Sequence, residues 1–363
     1  MPEDARSQDQ RRRDDLLRRA AQAERNPKPA AASPAAEPVR GGVAAGLPGP
    51  SSYRATQGKP VVPPYPSRVD LHTHSCRSDG VLEPLELVAA AAAAGVQVLA
   101  LSDHDTLAGV RELTAPGKPA LPLELLAAVE INSVAIGIPQ LWEGELHILG
   151  LGVDLDDDAF EAVLRRQRGF RLTRFNRIVD RMGQLGYPID KQVDELLAGQ
   201  GATSGAALGR PQIARCLVAA RFASSVDDAM RRLLGRGKPA YVPREGLGPN
   251  EAISAIRAAG GLPSLAHFAE APQRRELVEE LAGVGLGGLE VHYRHFGAET
   301  VAAVGAVARE LRLIPTGGSD YHGDGETYAE AHASLFVPDE DATDLFALLG
   351  RPRLTIRTGA SPS

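Results

Sequence analysis

The chain has 363 residues, 43% of them hydrophobic and 24% charged, with a formal net charge of −6. That length suffices for one large domain or two modest ones, and the acidic balance excludes a uniformly basic nucleic-acid coat while allowing a local basic region. Two cysteines, Cys76 and Cys216, make neither a disulfide framework nor a Cys-x-x-Cys zinc site, there is no run of about 18 apolar residues to span a membrane, and 1–26 lacks the apolar core of a secretory signal.

Residues 1–66 read as a disordered tail. Arg11 to Arg25 has the charge mix of a short helix, and from Pro27 onward Pro, Ala, Gly and Ser dominate. Such a segment buries too little apolar surface to offset its chain entropy. Folded sequence begins near Ser67, and 67–159 reads as the first part of a barrel. Candidate strands are Arg68–Leu71, Gln97–Leu101, Leu125–Ile131 and Leu146–Gly152, with a helix over Pro84–Ala94.

Residues 160–244 break this rhythm. Their spacing predicts helices over 160–185, 190–198, 211–220 and 226–234, an inserted module. It carries sixteen Lys and Arg against seven Asp and Glu, a net of +9 on a chain whose total is −6. A cluster of this kind suits a clamp for a polyanion. Arg171 and Arg174 share one helix face. From 245 to 356 the strand rhythm resumes, with strands at Leu262–His267, Gly288–His292, Leu313–Thr316 and Ala333–Val337 and a helix over Pro249–Ala259. Repeated β–α units predict parallel strands covered by helices, and seven or eight strands suggest a barrel.

The chemistry-bearing residues gather at strand ends. In Asp70-Leu71-His72-Thr73-His74 the two imidazoles point the same way on an extended segment, and Asp79 follows in a turn. Ser102-Asp103-His104-Asp105 comes directly after an apolar strand, where barrel active sites sit. Glu130 closes another apolar run and is costly to bury without a metal, an Arg or water. His147 lies inside a strand, His267 ends one, and Asp320 and His322 repeat the alternate-residue geometry of His72 and His74. His, Asp and Glu without Cys suit zinc, manganese or iron, with carboxylate available to bridge. There are more candidates than one four-coordinate ion can use, which argues for two or three ions.

These runs, with Val129-Glu130-Ile131, Leu265-Ala266-His267 and Gly318-Ser319-Asp320-Tyr321-His322-Gly323, resemble in order and spacing the PHP (polymerase and histidinol phosphatase) family of phosphoesterases across nearly all of 68–337. The resemblance implies an α/β fold, a distorted (β/α)7 TIM-like barrel with a trinuclear metal site. It further implies that His72, His74, Glu130 and Asp320 hold one ion, Asp79, His104 and His322 a second, and Glu130, His147 and His267 a third. The helical insertion, ending in Gly237-Lys238-Pro239-Ala240-Tyr241-Val242, is similar to that of the 3′,5′-nucleotide bisphosphate phosphatases and the related 5′–3′ exoribonuclease, RNase AM. Two departures are Phe268, where the family often has Pro after the motif His, and the tail.

The function expected is hydrolysis of nucleotide phosphate esters, 3′,5′-bisphosphates or short RNA 5′ ends. Two to three divalent ions would serve it, manganese first, then zinc, iron(II) or magnesium. Asp103 or Asp105 would orient water or a ligand, and His292 or His295 would contact phosphate or protonate the leaving group. Arg210, Lys238 and Arg294 would bind phosphate, and His332 is read as structural. A histidinol-phosphate phosphatase needs one phosphate site and no basic clamp; a non-catalytic metal-binding scaffold is the reading of another class. The expected setting is the cytoplasm, with a small nucleotide or short RNA as partner, no membrane and no obligate protein partner.

Overall fold

The computed structural model describes residues 67–135, 144–199 and 207–350. The tail expected over 1–66, with its short charged helix, lies outside them, as does the end of the second barrel part, 351–356.

Seven strands alternate with helices. In chain order they are β1 (Val69–Thr73), α1 (Pro84–Ala93), β2 (Val98–Leu101), α2 (Ala108–Thr114), β3 (Glu124–Val134) and β4 (Glu145–Leu151). Next come α3 (Asp158–Gln184), α4 (Asp190–Gly199), α5 (Arg210–Ala219), α6 (Val226–Ala229, running into a π turn over Met230–Leu234) and α7 (Pro249–Ala258). The chain closes with β5 (Leu262–Leu265), α8 (Arg275–Gly283), β6 (Gly288–Tyr293), α9 (Ala298–Leu311), β7 (Ile314–Gly318), α10 (Tyr328–His332) and α11 (Asp339–Leu348). β1 and β2 are buried along their whole length, as continuous apolar strands covered on both faces must be.

The strands pair in sequence order from β1 to β7. The ends of the sheet meet, because Thr73 bridges Tyr321 and the Asp320 amide donates to the His72 carbonyl at 2.8 Å. Beneath this seam the buried Asp70 carboxylate accepts from the Ser319 amide (2.9 Å), the Ser319 hydroxyl (2.6 Å) and the Tyr328 hydroxyl (2.8 Å). The result is a nearly closed, distorted TIM-like barrel.

Two expectations are corrected. First, the strands are not all parallel. β4 runs antiparallel to both β3 and β5, because only residues 135–144 separate β3 from β4, too few for the crossover of about a dozen or more residues that a parallel pair needs. Second, Ala333–Val337 is not a strand. Leu335 and Val337 are fully buried, and Val337 donates to the Ser67 hydroxyl, so burial rather than sheet pairing explains the apolar run.

The reversal of β4 sets the path of the next segment. The chain leaves Leu151 at the barrel end opposite the metal-ligand candidates, and α3, 27 residues long or about 40 Å, carries it back. The Asp157 carboxylate caps this helix through the Phe160 amide. Phe160 and Leu164 pack into the barrel core. Beyond them Phe175, Ile178 and Met182 join Ile213, Leu217 and Leu234 in a separate apolar core.

Candidate metal centre

Nine side chains converge at one mouth of the barrel. β1 supplies His72, and His74 follows directly after it, their Nε2 atoms 3.1 Å apart. Both face the Glu130 carboxylate at the site end of β3, at 3.4 and 3.2 Å, and Asp320 after β7, at 3.3 and 3.2 Å. Asp79 lies 3.5 Å from His104 and 3.2 Å from His322. Glu130 also reaches His147 at 2.8 Å and His267 at 3.2 Å. The turn into Asp79 needs glycine at position 80, where a Cβ would stand 2.3 Å from the His74 carbonyl oxygen.

The ligand atoms fall into three groups, each within 4.8 Å: His74, Asp79, His104 and His322; His72, His74, Glu130 and Asp320; Glu130, His147 and His267. His74 belongs to two groups, as does Glu130. The chemistry of this donor set fits divalent cations. So does its polar accounting: His74 Nδ1, Asp79 Oδ1, His104 Nδ1 and Glu130 Oε2 are buried and make no well-aligned hydrogen bond despite their close neighbours, a costly state for a protein interior. Asp105, His267 and Asp320, at or beside the cluster, all hold a positive φ (52°, 35° and 49°), strain of the kind found at functional sites.

The electrostatics agree. Burial would raise the Glu130 pKa, but His104, His147 and His72 hold it well below the usual carboxylate range. Burial would lower His147 and His322, yet Glu130 raises His147 to about 9, and Asp79 with Asp320 raises His322 to about 10. Burial wins at His104, which falls to about 4 against the pull of Asp79 and Glu130. Without metal, His147 and His322 are therefore protonated at neutral pH, and a cation must displace those protons. Binding of Mn²⁺ at pH 7.5 is expected to release protons, with affinity rising as pH climbs toward 9–10. Calorimetry in buffers of unlike ionisation heat measures this; binding heats independent of buffer contradict it. The same shifts stabilise the metal-free fold below the ordinary histidine pKa, and that contribution is lost as pH rises through about 9–10.

Groups behind the cluster fix its geometry. Buried Glu290 on β6 takes His72 Nδ1 at 3.0 Å and the His267 amide at 2.6 Å, leaving His72 Nε2 turned to the cluster. Tyr293 donates to Asp320 at 3.2 Å. Neither was singled out from sequence, although a Glu inside the apolar run Leu289-Glu290-Val291 is a signal.

A cavity of about 330 Å³ opens from the cluster. Its lining combines the ligand candidates Asp79, His104, His147, His267 and Asp320 with Arg171, Arg210 and Arg244, and includes Phe268 and Tyr293. Arg171 is held by Asp105 and Asn132. Arg244 lies 2.9 Å from Glu145. Burial lowers the Arg244 pKa, Glu145 opposes this, and the neighbouring Arg171 and Arg210 lower it again. Cations crowded in this way favour an anion among them. Arg210 is thus brought to the cavity, as expected, and Arg244 joins it without a sequence signal of its own.

Other candidates are placed elsewhere. Asp103 accepts from the Ser75 amide and the Ser75 and Ser78 hydroxyls, so it braces the loop carrying Asp79. Asp105 is occupied by Arg171. A bulge between Glu290 and His292 resets the side-chain alternation, so His292 turns to Asp341 on α11 at 2.7 Å and Tyr293 takes the inward position. Arg294 pairs with Glu326 at 2.7 Å. Lys238 is exposed and does not line the cavity. His295 is exposed, its ring 5.3 Å from that of Tyr293. His332 is buried, bonded to the Ser67 carbonyl at 2.8 Å. Among the described residues no helix is long and apolar enough to cross a membrane.

Comparison with known proteins agrees with this geometry. The PHP domain model matches residues 70–200. A 5′–3′ exoribonuclease of Haemophilus influenzae is 35% identical over 264 residues, 70% of this chain and 90% of that protein. A 3′,5′-nucleoside bisphosphate phosphatase of Chromobacterium violaceum is 31% identical over 273 residues, 72% of this chain and 89% of that one. Among solved structures, one described as a metal-dependent phosphoesterase of Bifidobacterium adolescentis superposes with a TM-score of 0.66 at 28% identity, covering 79% of this chain and 97% of its own.

Proposed function

Given that this chain belongs to the PHP-domain family of phosphoesterases, we propose that it hydrolyses nucleotides carrying two phosphates, namely 3′,5′-bisphosphates and the 5′ ends of short RNA. The observation that carries this reading is the shared cavity, lined both by members of the metal-ligand cluster and by three arginines. One phosphate would lie at the cluster and a second against Arg171, Arg210 and Arg244. The exoribonuclease and the bisphosphate phosphatase similar to this chain are named for substrates of this chemistry.

The nine ligands His72, His74, Asp79, His104, Glu130, His147, His267, Asp320 and His322 would hold two to three divalent ions, with manganese the first candidate. Such ions supply charge neutralisation at phosphoryl oxygens and lower the pKa of a water toward about 7. The protein does the rest. Asp105 and Asn132 hold the Arg171 guanidinium in one orientation, so the second phosphate meets a preset donor fork. Glu145 forms an ion pair with Arg244 at 2.9 Å. Tyr293 keeps Asp320 in place, and Phe268 offers an apolar wall to the nucleoside.

A histidinol-phosphate phosphatase would have no use for three converging arginines, and a scaffold would have no need of nine converged ligands. A phosphate-release screen with added Mn²⁺ distinguishes these readings, comparing 3′,5′-bisphosphate nucleotides, 5′-phosphorylated RNA and histidinol phosphate. Preference for histidinol phosphate, or no turnover on any of them, overturns the proposal. Arg210→Ala is expected to raise KM for the bisphosphate about 10-fold or more, the loss of one charge-assisted contact of roughly 1.5–3 kcal/mol. Its turnover of a singly phosphorylated aryl ester should stay unchanged.

A further inference from the structure

We infer that Arg215, on α5, is a positioning residue for the metal group built on Asp79, so that the helical stretch completes the metal centre besides shaping the cavity. The inference rests on the metal-dependent function proposed for this site.

The loop carrying Asp79 is held from one side by α5 and the turn before it, through three consecutive carbonyls. The Ala207 amide donates to the Arg77 carbonyl at 2.9 Å. The Gln212 side-chain amide donates to the Ser78 carbonyl. Arg215 Nη2 donates to the Asp79 carbonyl at 2.5 Å. The same guanidinium grips Asp324 with two bonds, Nε to Oδ1 at 2.9 Å and Nη2 to Oδ2 at 2.5 Å. Asp324 lies two residues after His322 and 109 residues from Arg215. Between the two loops, the Val81 amide donates to the His322 carbonyl at 2.9 Å.

One side chain therefore ties together the loops that bring Asp79 and His322 to 3.2 Å of each other. Both loops leave the barrel at strand ends with no ladder partner beyond Tyr321, so their separation depends on such cross-ties. The Arg215–Asp324 pair is partly exposed, and an ordinary surface pair in that position would contribute little. What sets this one apart is its bidentate geometry combined with a bond to the main chain of a ligand residue. Support of this kind typically changes metal affinity by about 10- to 100-fold. His72, Glu130, His147 and His267 lie in groups that Arg215 does not touch.

The test uses the full chain loaded with Mn²⁺ and then challenged with graded EDTA, with bound metal counted by elemental analysis. Arg215→Ala and Asp324→Asn are each expected to lose one ion per chain at chelator concentrations about 10- to 100-fold below those that strip it from wild type. The remaining ions should be retained as in wild type. The double variant should lose that ion no more readily than either single one. In kinetics kcat falls while KM for a 3′,5′-bisphosphate holds, because Arg171, Arg210 and Arg244 are intact. If Arg215→Ala does not fold, Asp324→Asn carries the test alone, since its change lies in an exposed ion pair. A folded variant that keeps every ion as tightly as wild type, or one that loses all ions together, overturns the inference. A wild-type chain that binds no Mn²⁺ would instead overturn the metal-dependent function itself.

Discussion

Replacing Glu130 by Gln is expected to lower turnover by at least about a thousandfold, equivalent to roughly 4 kcal/mol of lost transition-state stabilisation. Glu130 takes part in two of the three ligand groups and contacts five histidines, His72, His74, His104, His147 and His267. The amide keeps the shape but removes the negative charge that two of the ligand groups share. The variant should still fold, because the histidines freed from the carboxylate can lose their protons. It should hold one ion per chain, in the group of His74, Asp79, His104 and His322, which does not use Glu130. Elemental analysis together with phosphate release checks both halves. Full metal content with near-normal turnover would remove Glu130 from the centre of the site.

The second large effect is on stability. Arg171→Met is expected to destabilise the fold by about 3–5 kcal/mol, the usual consequence of removing one partner from a buried ion pair. The Asp105 side chain is fully buried and that of Arg171 is 6% exposed, so the carboxylate left behind has no water to turn to. By contrast the exposed pair Lys191–Glu195 should contribute no more than about 0.5 kcal/mol. Denaturant melts measure the difference. Pairing the change with Asp105→Asn should recover part of the loss, because the stranded charge is gone. A single variant as stable as wild type would show that Asp105 finds another partner. KM for bisphosphate substrates should rise in the single variant as well, since Arg171 lines the cavity.

Most ligand candidates were legible because their spacing encodes direction. His72 and His74 sit two apart at a strand end, and an extended chain then turns both inward; Asp320 and His322 share the spacing, although Asp320 itself is left-handed. His147 was harder to place because a single sequence does not announce that β4 is reversed. In an inverted strand the early residues, not the late ones, lie at the active mouth, and His147 is the third residue of β4. His292 shows what position at a strand end does not tell: a bulge exchanges inward and outward positions, and its ring faces Asp341. Arg294 and Lys238 carried the right charge, but charge alone does not say which cation has a carboxylate beside it or faces solvent. Arg244 had no local signal, because its role depends on Glu145, nearly a hundred residues earlier. The helices of 160–244 were readable from spacing. How α5 grips the loops at Asp79 and Asp324 was not, since those contacts join distant segments.

The long return helix α3 has a consequence of its own. It meets the barrel through Phe160 and Leu164 and reaches the mouth at Gln167, Arg168 and Arg171, and the rest of the helical module is carried on its far end. Inserting or deleting one residue between the two contacts would turn the far end by about 100° and shift it by about 1.5 Å. Arg171 would swing off the mouth, and the whole basic bundle would swing with it. The helix acts as an angular key: the number of residues between anchor and mouth decides which face of α3 meets the cavity. The grip of α5 on the loops at Asp79 and Asp324 is therefore available only while that phase is kept.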